Sequence, residues 1–260
     1  MQDFAVVSGA GGGLQLSVVI PAFNEAKRLP PTLQRITAYL TTDGAWLPAE
    51  IIVVDDGSAD GTAAAARSLE PPAGVVLRVA NHRQNRGKGA AVRTGFALAT
   101  GARVLLTDAD LSAPIEELPA LVSAGGDRIV AVGSRAVDRR LVERPQPRHR
   151  DLMGRTYNLV VRSLGLSRLH DTQCGFKLFP GTLANALAGV QRLDGFAFDV
   201  ELLMVAKSWG YPVCEVAVRW HHKEASRVLA GRHSIQMLRD LVRLRWWQTT
   251  RALPPRPDSL

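Results

Sequence analysis

The sequence has few cysteines, few aromatic residues, no long apolar run, and fewer acidic than basic side chains. Its only cysteines, Cys174 and Cys214, sit in neither a CxxC motif nor a His/Cys array, which excludes a disulfide scaffold and a zinc module and points to a reducing interior. No stretch reaches the roughly 18 apolar residues of a spanning helix, and the N-terminus lacks a basic segment followed by an apolar one. The expectation is a chain that neither crosses a bilayer nor is secreted. With 32 Lys and Arg against 24 Asp and Glu, the net charge of +8 favours an anionic partner: a phosphorylated ligand, a nucleic acid or a membrane surface. Zinc-finger spacing, a basic zipper and RNA-binding aromatic signatures are all missing, so nucleic acid is not expected.

What is present is an ordinary globular composition, 46% hydrophobic over 260 residues, enough for one core without covalent staples. Residues 1–15 read as a Gly- and Ser-rich leader, 16–230 as the main domain, and 231–260 as a basic amphipathic helix and tail. Short β-branched runs at Leu16–Pro21, Glu50–Val54, Val75–Val79, Arg103–Thr107 and Ile129–Gly133 alternate with helical segments near 28–40, 60–68, 89–99 and 115–123. That rhythm predicts an α/β fold with a mostly parallel sheet covered by helices on both faces. After Ser134 a basic, proline-containing stretch, 135–150, reads as a loop. Helices are predicted near 152–164, 182–190 and 199–209, and one strand over 213–220. In the last helix Ile235, Leu238, Leu241 or Val242, and Trp246 or Trp247 share a predicted face ringed by Arg232, Arg239, Arg243, Arg245 and Arg251, a pattern that suits an anionic lipid surface as well as a helix packed on the sheet.

Ligands of open α/β sheets sit beyond the carboxyl ends of the strands. Those ends carry Pro21-Ala22-Phe23-Asn24-Glu25, Asp55-Asp56-Gly57-Ser58, Asp108-Ala109-Asp110 and Gly133-Ser134-Arg135. Like charges gathered there need a cation or ligand to offset them. Asp108 and Asp110, one residue apart after an apolar strand, suit Mg²⁺ or Mn²⁺ shared with phosphates, although a DxD alone also suits a turn or helix cap. Asn85-Arg86-Gly87-Lys88-Gly89 opens a helix with two glycines and a lysine, which fits an anion or a plain helix start. Asp199 and Glu201 are candidate bases, but two positions apart on a helix they face different sides, so both cannot aim at one site. His221, His222, Lys223 and Arg227 form a further basic group after the last predicted strand.

The ordered set VVIPAFNE, VVDDGSADGT, NRGKGAAVRTG, TDADLS, GSR and DTQCGFKLF resembles family 2 glycosyltransferases over about Leu16 to Val228. Within them it is similar to the branch that makes polyprenyl-phosphate sugars, the dolichyl-phosphate β-glucosyltransferases and mannose synthases. The resemblance implies a nucleotide-sugar-binding Rossmann-like (GT-A type) fold and inverting, metal-dependent transfer of glucose from UDP-glucose to a polyprenyl phosphate. Alternatives are GDP-mannose or another UDP-sugar as donor, or a glycan hydroxyl as acceptor. It implies that Pro21, Ala22, Asn24, Glu25 and Asp55 or Asp56 hold base and ribose, with Ala109 and Lys88 beside the donor. Asp108 and Asp110 would hold the Mg²⁺ or Mn²⁺, while Ser112 stands where mannose synthases can have a third ligand. Arg135 and Arg144 are the expected clamp on the acceptor phosphate. A peripheral position on the cytoplasmic face of a membrane, with an integral membrane protein as an additional partner, completes the expectation.

Overall fold

The computed structural model describes residues 5–6, 13–42, 44–125, 128–144, 148–164, 169–221, 223, 232–258 and 260. The first half runs β1 (Ala5–Val6), β2 (Leu16–Ala22), α1 (Leu29–Thr42), β3 (Ala49–Asp55), α2 (Thr62–Arg67), β4 (Val75–Asn81), α3 (Lys88–Leu98), β5 (Arg103–Leu106) and α4 (Leu118–Gly125). The second runs β6 (Val130–Ser134), β7 (Val142–Arg144), α5 (Arg148–Ser163), β8 (Lys177–Pro180), α6 (Gly181–Val190), α7 (Phe198–Ser208), β9 (Val213–Ala217), β10 (Trp220–His221) and α8 (Arg232–Thr249).

Strands β2 and β3 are buried along their whole length, which is why they read as continuous apolar runs. Their side chains alternate between two cores: Val19, Ile52 and Val54 enter one, and Val18, Ile20, Ile51 and Val53 the other. α1 covers the second core with Leu29, Leu33, Ile36 and Leu40 at helical spacing. α3 buries Ala91, Val92 and Phe96 against the first, its small residues letting the helix axis lie close to β2 and β3. Each large aliphatic side chain so buried contributes about 1.5–3 kcal/mol.

The main sheet has the order β1-β4-β3-β2-β5-β8-β6-β9. It is parallel throughout except for β1 against β4 and β8 against β5 and β6. The expected mostly parallel sheet with helices is therefore what forms, with four differences of detail. Ala5–Val6, inside the expected leader, is an edge strand on β4. The DTQCGFKLF segment holds a strand, β8, wedged between β5 and β6. The stretch expected as a loop contains a short 3₁₀ turn, Arg139–Leu141, then β7, and α5 starts within it. The strand expected over 213–220 breaks after Ala217, and Trp220–His221 pairs with β7 instead.

The predicted apolar face of α8 also divides. Leu241 and Leu244 are buried in the core cluster that contains Phe198 and Leu193, whereas Leu238, Val242 and Trp246 are exposed. A strip one residue wide cannot do both, because residues three and four apart lie on one side of the helix and their neighbours are turned by about 100°. Both cysteines are free, Cys174 buried and Cys214 half-buried.

Candidate active site

The sheet order places the ends of β3, β2 and β5 side by side, so Asp55, Asn24 and Asp108 leave neighbouring strands at one edge. Pro21 and Ala22 are the last residues of β2, in register with Val54 and Asp55. Beyond them the two loops are sewn together. The Asn24 N–H donates to Ser58 Oγ (2.8 Å), the Ala59 N–H to Asn24 Oδ1 (3.1 Å), and the Glu25 N–H to Thr62 Oγ1 (2.8 Å). Asn24 takes a left-handed backbone (φ 55), which an Asn tolerates better than most side chains.

The two adjacent aspartates have different duties. Asp55 Oδ1 accepts the Ser58 N–H (3.1 Å) and hydroxyl, closing the turn after β3. Asp56 is buried and accepts the backbone N–H groups of Arg86 (3.0 Å) and Gly87 (2.8 Å), with His82 Nδ1 at 2.6 Å. It thereby holds the glycine-rich loop rather than facing a ligand freely. Gly87 sits at φ 110 against the Asp194 carbonyl, a position open only to glycine.

That loop delivers Lys88, whose Nζ lies 2.6 Å from Asp108 Oδ1. Burial acts to lower the Lys88 pKa, but the Asp108 and Asp199 carboxylates outweigh it and raise it above the ordinary value. Burial pushes Asp108 up, while Lys88, Lys177 and Arg135 pull it further down, below the usual carboxylate range. Asp110 Oδ1 accepts the Ser112 N–H (2.9 Å), and the Ala109 carbonyl accepts the Thr32 hydroxyl (2.7 Å), which fixes the turn to α1. Arg28, not singled out in the sequence, donates to both Glu25 oxygens (2.6 and 2.5 Å) and reaches within 4.0 Å of Asp110. Its only sequence signal is a basic residue three positions after Glu25.

Among the described residues no three His, Cys, Asp or Glu side chains gather into one group, and the carboxylates after β5 that could hold a metal ion are the pair Asp108 and Asp110. Their side chains are 35% and 23% exposed. Two partly open hard carboxylates fit Mg²⁺ or Mn²⁺, ions that take most of their ligands from water and phosphate.

Arg135 leaves β6 on the other side of β8. It is not an open clamp: Nε and Nη2 donate to Asp171 Oδ2 (2.6 Å) and Oδ1 (2.8 Å), and the Trp220 ring covers its guanidinium at 5.4 Å. Neither partner was singled out in the sequence. Arg144 ends β7, opposite His221, and its side chain lies outside the described residues, as do His222 and Arg227. Lys223 is exposed, and His221 Nδ1 stands 3.5 Å from Glu143. Asp199 and Glu201 point apart as their spacing requires. Asp199 takes Lys177 Nζ at 2.5 Å, and Glu201 accepts the N–H groups of Arg192 and Leu193, each at 2.8 Å.

The chain matches the family model described as glycosyl transferase family 2 over residues 17–181. It is 36% identical over 239 residues to a Drosophila melanogaster protein named dolichyl-phosphate beta-glucosyltransferase, covering 88% of this chain and 73% of that one. A Homo sapiens protein of the same name is 35% identical, with 89% and 76% covered. Among solved structures, glucosyl-3-phosphoglycerate synthase from Mycobacterium tuberculosis with Mn²⁺, UDP-glucose and phosphoglyceric acid superposes with a TM-score of 0.66 at 21% identity, over 90% of this chain and 80% of that one, which establishes a shared fold. A Rossmann-like parallel sheet whose strand ends carry the DxD pair and the glycine-rich loop, together with these matches, makes the chain a member of glycosyltransferase family 2.

Proposed function

We propose that the protein transfers glucose, with inversion, from UDP-glucose to a polyprenyl phosphate of dolichyl type, with Mg²⁺ or Mn²⁺ as cofactor. One observation carries the choice of a phosphate over a hydroxyl acceptor. Both candidate bases are engaged, Asp199 by Lys177 and Glu201 by two backbone amides, while the cation Arg135, held in place by Asp171, stands across β8 from Asp108. A phosphate monoester, with a second pKa near 6, is already largely dianionic at neutral pH and needs a positioned cation rather than a base. Relatives named for the same acceptor support the reading.

In this mechanism the loops after β2 and β3, with Asn24, Glu25 and Asp55, receive base and ribose. Lys88 and the N-terminus of α3 face the diphosphate. Asp108 and Asp110 would hold the metal ion, whose positive charge would offset the charge of a departing nucleoside diphosphate. Arg135 orients the acceptor oxyanion toward the anomeric carbon.

Access to a membrane acceptor is supported by the second half of the chain. No helix among the described residues is long and apolar enough to cross a bilayer. Exposed large apolar side chains nevertheless concentrate on α5 (Leu152, Met153, Leu159) and α8 (Leu238, Val242, Trp246). Between these helices Val160, Leu164, Leu238, Val242 and Trp246 line a groove of about 340 Å³, with Arg245 at its edge. Such a face suits peripheral attachment to an anionic leaflet.

The test is a transfer assay with purified protein, Mg²⁺ or Mn²⁺, a short polyprenyl phosphate, and labelled UDP-glucose, GDP-mannose and UDP-N-acetylglucosamine in parallel. Labelled lipid from UDP-glucose alone is the expected result. Label from another donor reassigns the sugar and keeps the acceptor. No labelled lipid from any donor overturns the acceptor and directs attention to hydroxyl substrates.

A further inference from the structure

The segment from Asp171 to Lys177 meets three charged groups in turn: Arg135, Asp108 and Asp199. At its start Asp171, 3% exposed, accepts the Arg135 Nε (2.6 Å) and backbone N–H (3.1 Å) on Oδ2, and Nη2 (2.8 Å) and the Gln173 N–H (3.2 Å) on Oδ1. The Asp171 and His170 N–H groups are themselves held by Glu215 of β9, each at 2.8 Å, and Glu215 also accepts the Ser134 hydroxyl at 2.9 Å. Four residues on, Gly175 lies directly against the Asp108 carboxylate, and a Cβ there would overlap all of its carboxyl atoms. The Gly133 N–H donates to the Phe176 carbonyl (2.8 Å), tying the segment to the end of β6. At its finish Lys177 Nζ bridges the Cys174 carbonyl and Asp199, both at 2.5 Å.

We propose that Asp171 and Gly175 are positioning residues that set the acceptor half and the donor half of the site on one short stretch of chain. Asp171 fixes the guanidinium of Arg135, and Gly175 makes the space in which Asp108 seats. The inference rests on the reading above that Arg135 meets the acceptor phosphate. A guanidinium gripped through Nε and Nη2 and covered on one face by Trp220 has little rotational freedom left, so an acceptor oxygen meets its remaining edge in one orientation. Alignment of the two reacting partners then depends on the backbone from Asp171 to Gly175 being rigid, and the Glu215 anchor and the β6 hydrogen bond supply that rigidity.

The proposal predicts that the two halves separate under mutation. In the full-length protein, D171N should raise the KM for a short polyprenyl phosphate at least tenfold and lower kcat, with the calorimetric Kd of UDP in Mn²⁺ within twofold of wild type. G175A should do the reverse, weakening UDP in Mn²⁺ at least tenfold while the acceptor KM at saturating UDP-glucose stays within threefold. Thermal melting of each variant reports folding. If D171N does not fold, D171E, which keeps the charge and shifts it by one methylene, must also raise the acceptor KM. If G175A does not fold, D108E, which crowds the same contact from the other side, must weaken UDP in Mn²⁺ likewise. R135A separates the two levels of the argument. An acceptor KM unchanged in R135A overturns the acceptor reading itself. A raised KM in R135A with an unchanged or lowered KM in D171N and D171E overturns the positioning role of Asp171. Movement of the acceptor KM and the UDP Kd together in D171N and G175A overturns the division of labour and leaves a merely structural segment.

Discussion

Two lysine–aspartate pairs of almost equal length stand near one another and do opposite things. Lys88 and Asp108 meet at 2.6 Å with side chains 24% and 35% exposed, whereas Lys177 and Asp199 meet at 2.5 Å with 1% and 7%. Burial pushes Asp199 above the usual carboxylate range even with Lys177 and Lys88 beside it, while Asp108 stays below that range. The open pair keeps its charges where a ligand can share them. The closed pair is part of the frame, since breaking it strands a charge in the interior. Chemical identity alone does not separate a working pair from a framework pair; surroundings do.

The largest effect should come from breaking the closed pair. Lys177→Met leaves Asp199 buried without its partner and should cost about 3–5 kcal/mol in denaturant unfolding. The double variant K177M/D199L should recover most of that loss; no recovery would mean the cost lies in packing. Breaking the open pair should spare the fold and remove activity. Asp108→Asn should lower turnover about 10²–10³-fold with an unchanged melting temperature, and near-normal turnover would end its assignment to the metal. Lys88→Met should be milder, about tenfold in turnover, with UDP affinity reduced and stability within about 1 kcal/mol of wild type.

Acid titration sharpens the contrast further. Burial acts to raise the Asp171 pKa, but Arg135 brings it below the ordinary 3.8, so its contribution is present above 3.8 and is lost as pH falls through the lower folded value. Unfolding measured from pH 5 downward should therefore lose stability in wild type below about pH 4, with a shallower slope in D171N. The smallest effect belongs to a surface pair: Arg35→Ala, which removes a 2.8 Å contact to the half-exposed Glu116, should change stability by less than about 1 kcal/mol.

The part of the candidate site around Asn24, Asp55 and Asp108 was legible in the sequence because each strand there is a continuous apolar run followed at once by its polar residues. β2 ends into Asn24 and Glu25, β3 into Asp55 and Asp56, and β5 runs up to Thr107 and Asp108. The part around Arg135 was not, for three physical reasons. β8 begins with Lys177, a charge that reads as surface until Asp199, 22 residues later, is seen to neutralise it. The Arg135–Asp171 fork joins residues 36 apart with no periodicity to announce it. Val218 and Arg219 look like the interior of a strand by composition, yet the chain there changes sheets to meet β7. Arg135 itself is a candidate from its place after β6, while Asp171 and Trp220, which the structure sets against it, carry no such signal.

The late arrival of β8 has a consequence for how the protein is made. β5 and β6 are both synthesised well before Lys177–Pro180, yet in the finished sheet each pairs with that strand and not with the other. A nascent chain emerging from the ribosome therefore carries two bare strand edges in the middle of its future sheet until the intervening strand clears the exit tunnel. Exposed edges of this kind are templates for wrong pairing, and in this fold the arrival of β8 is what covers them.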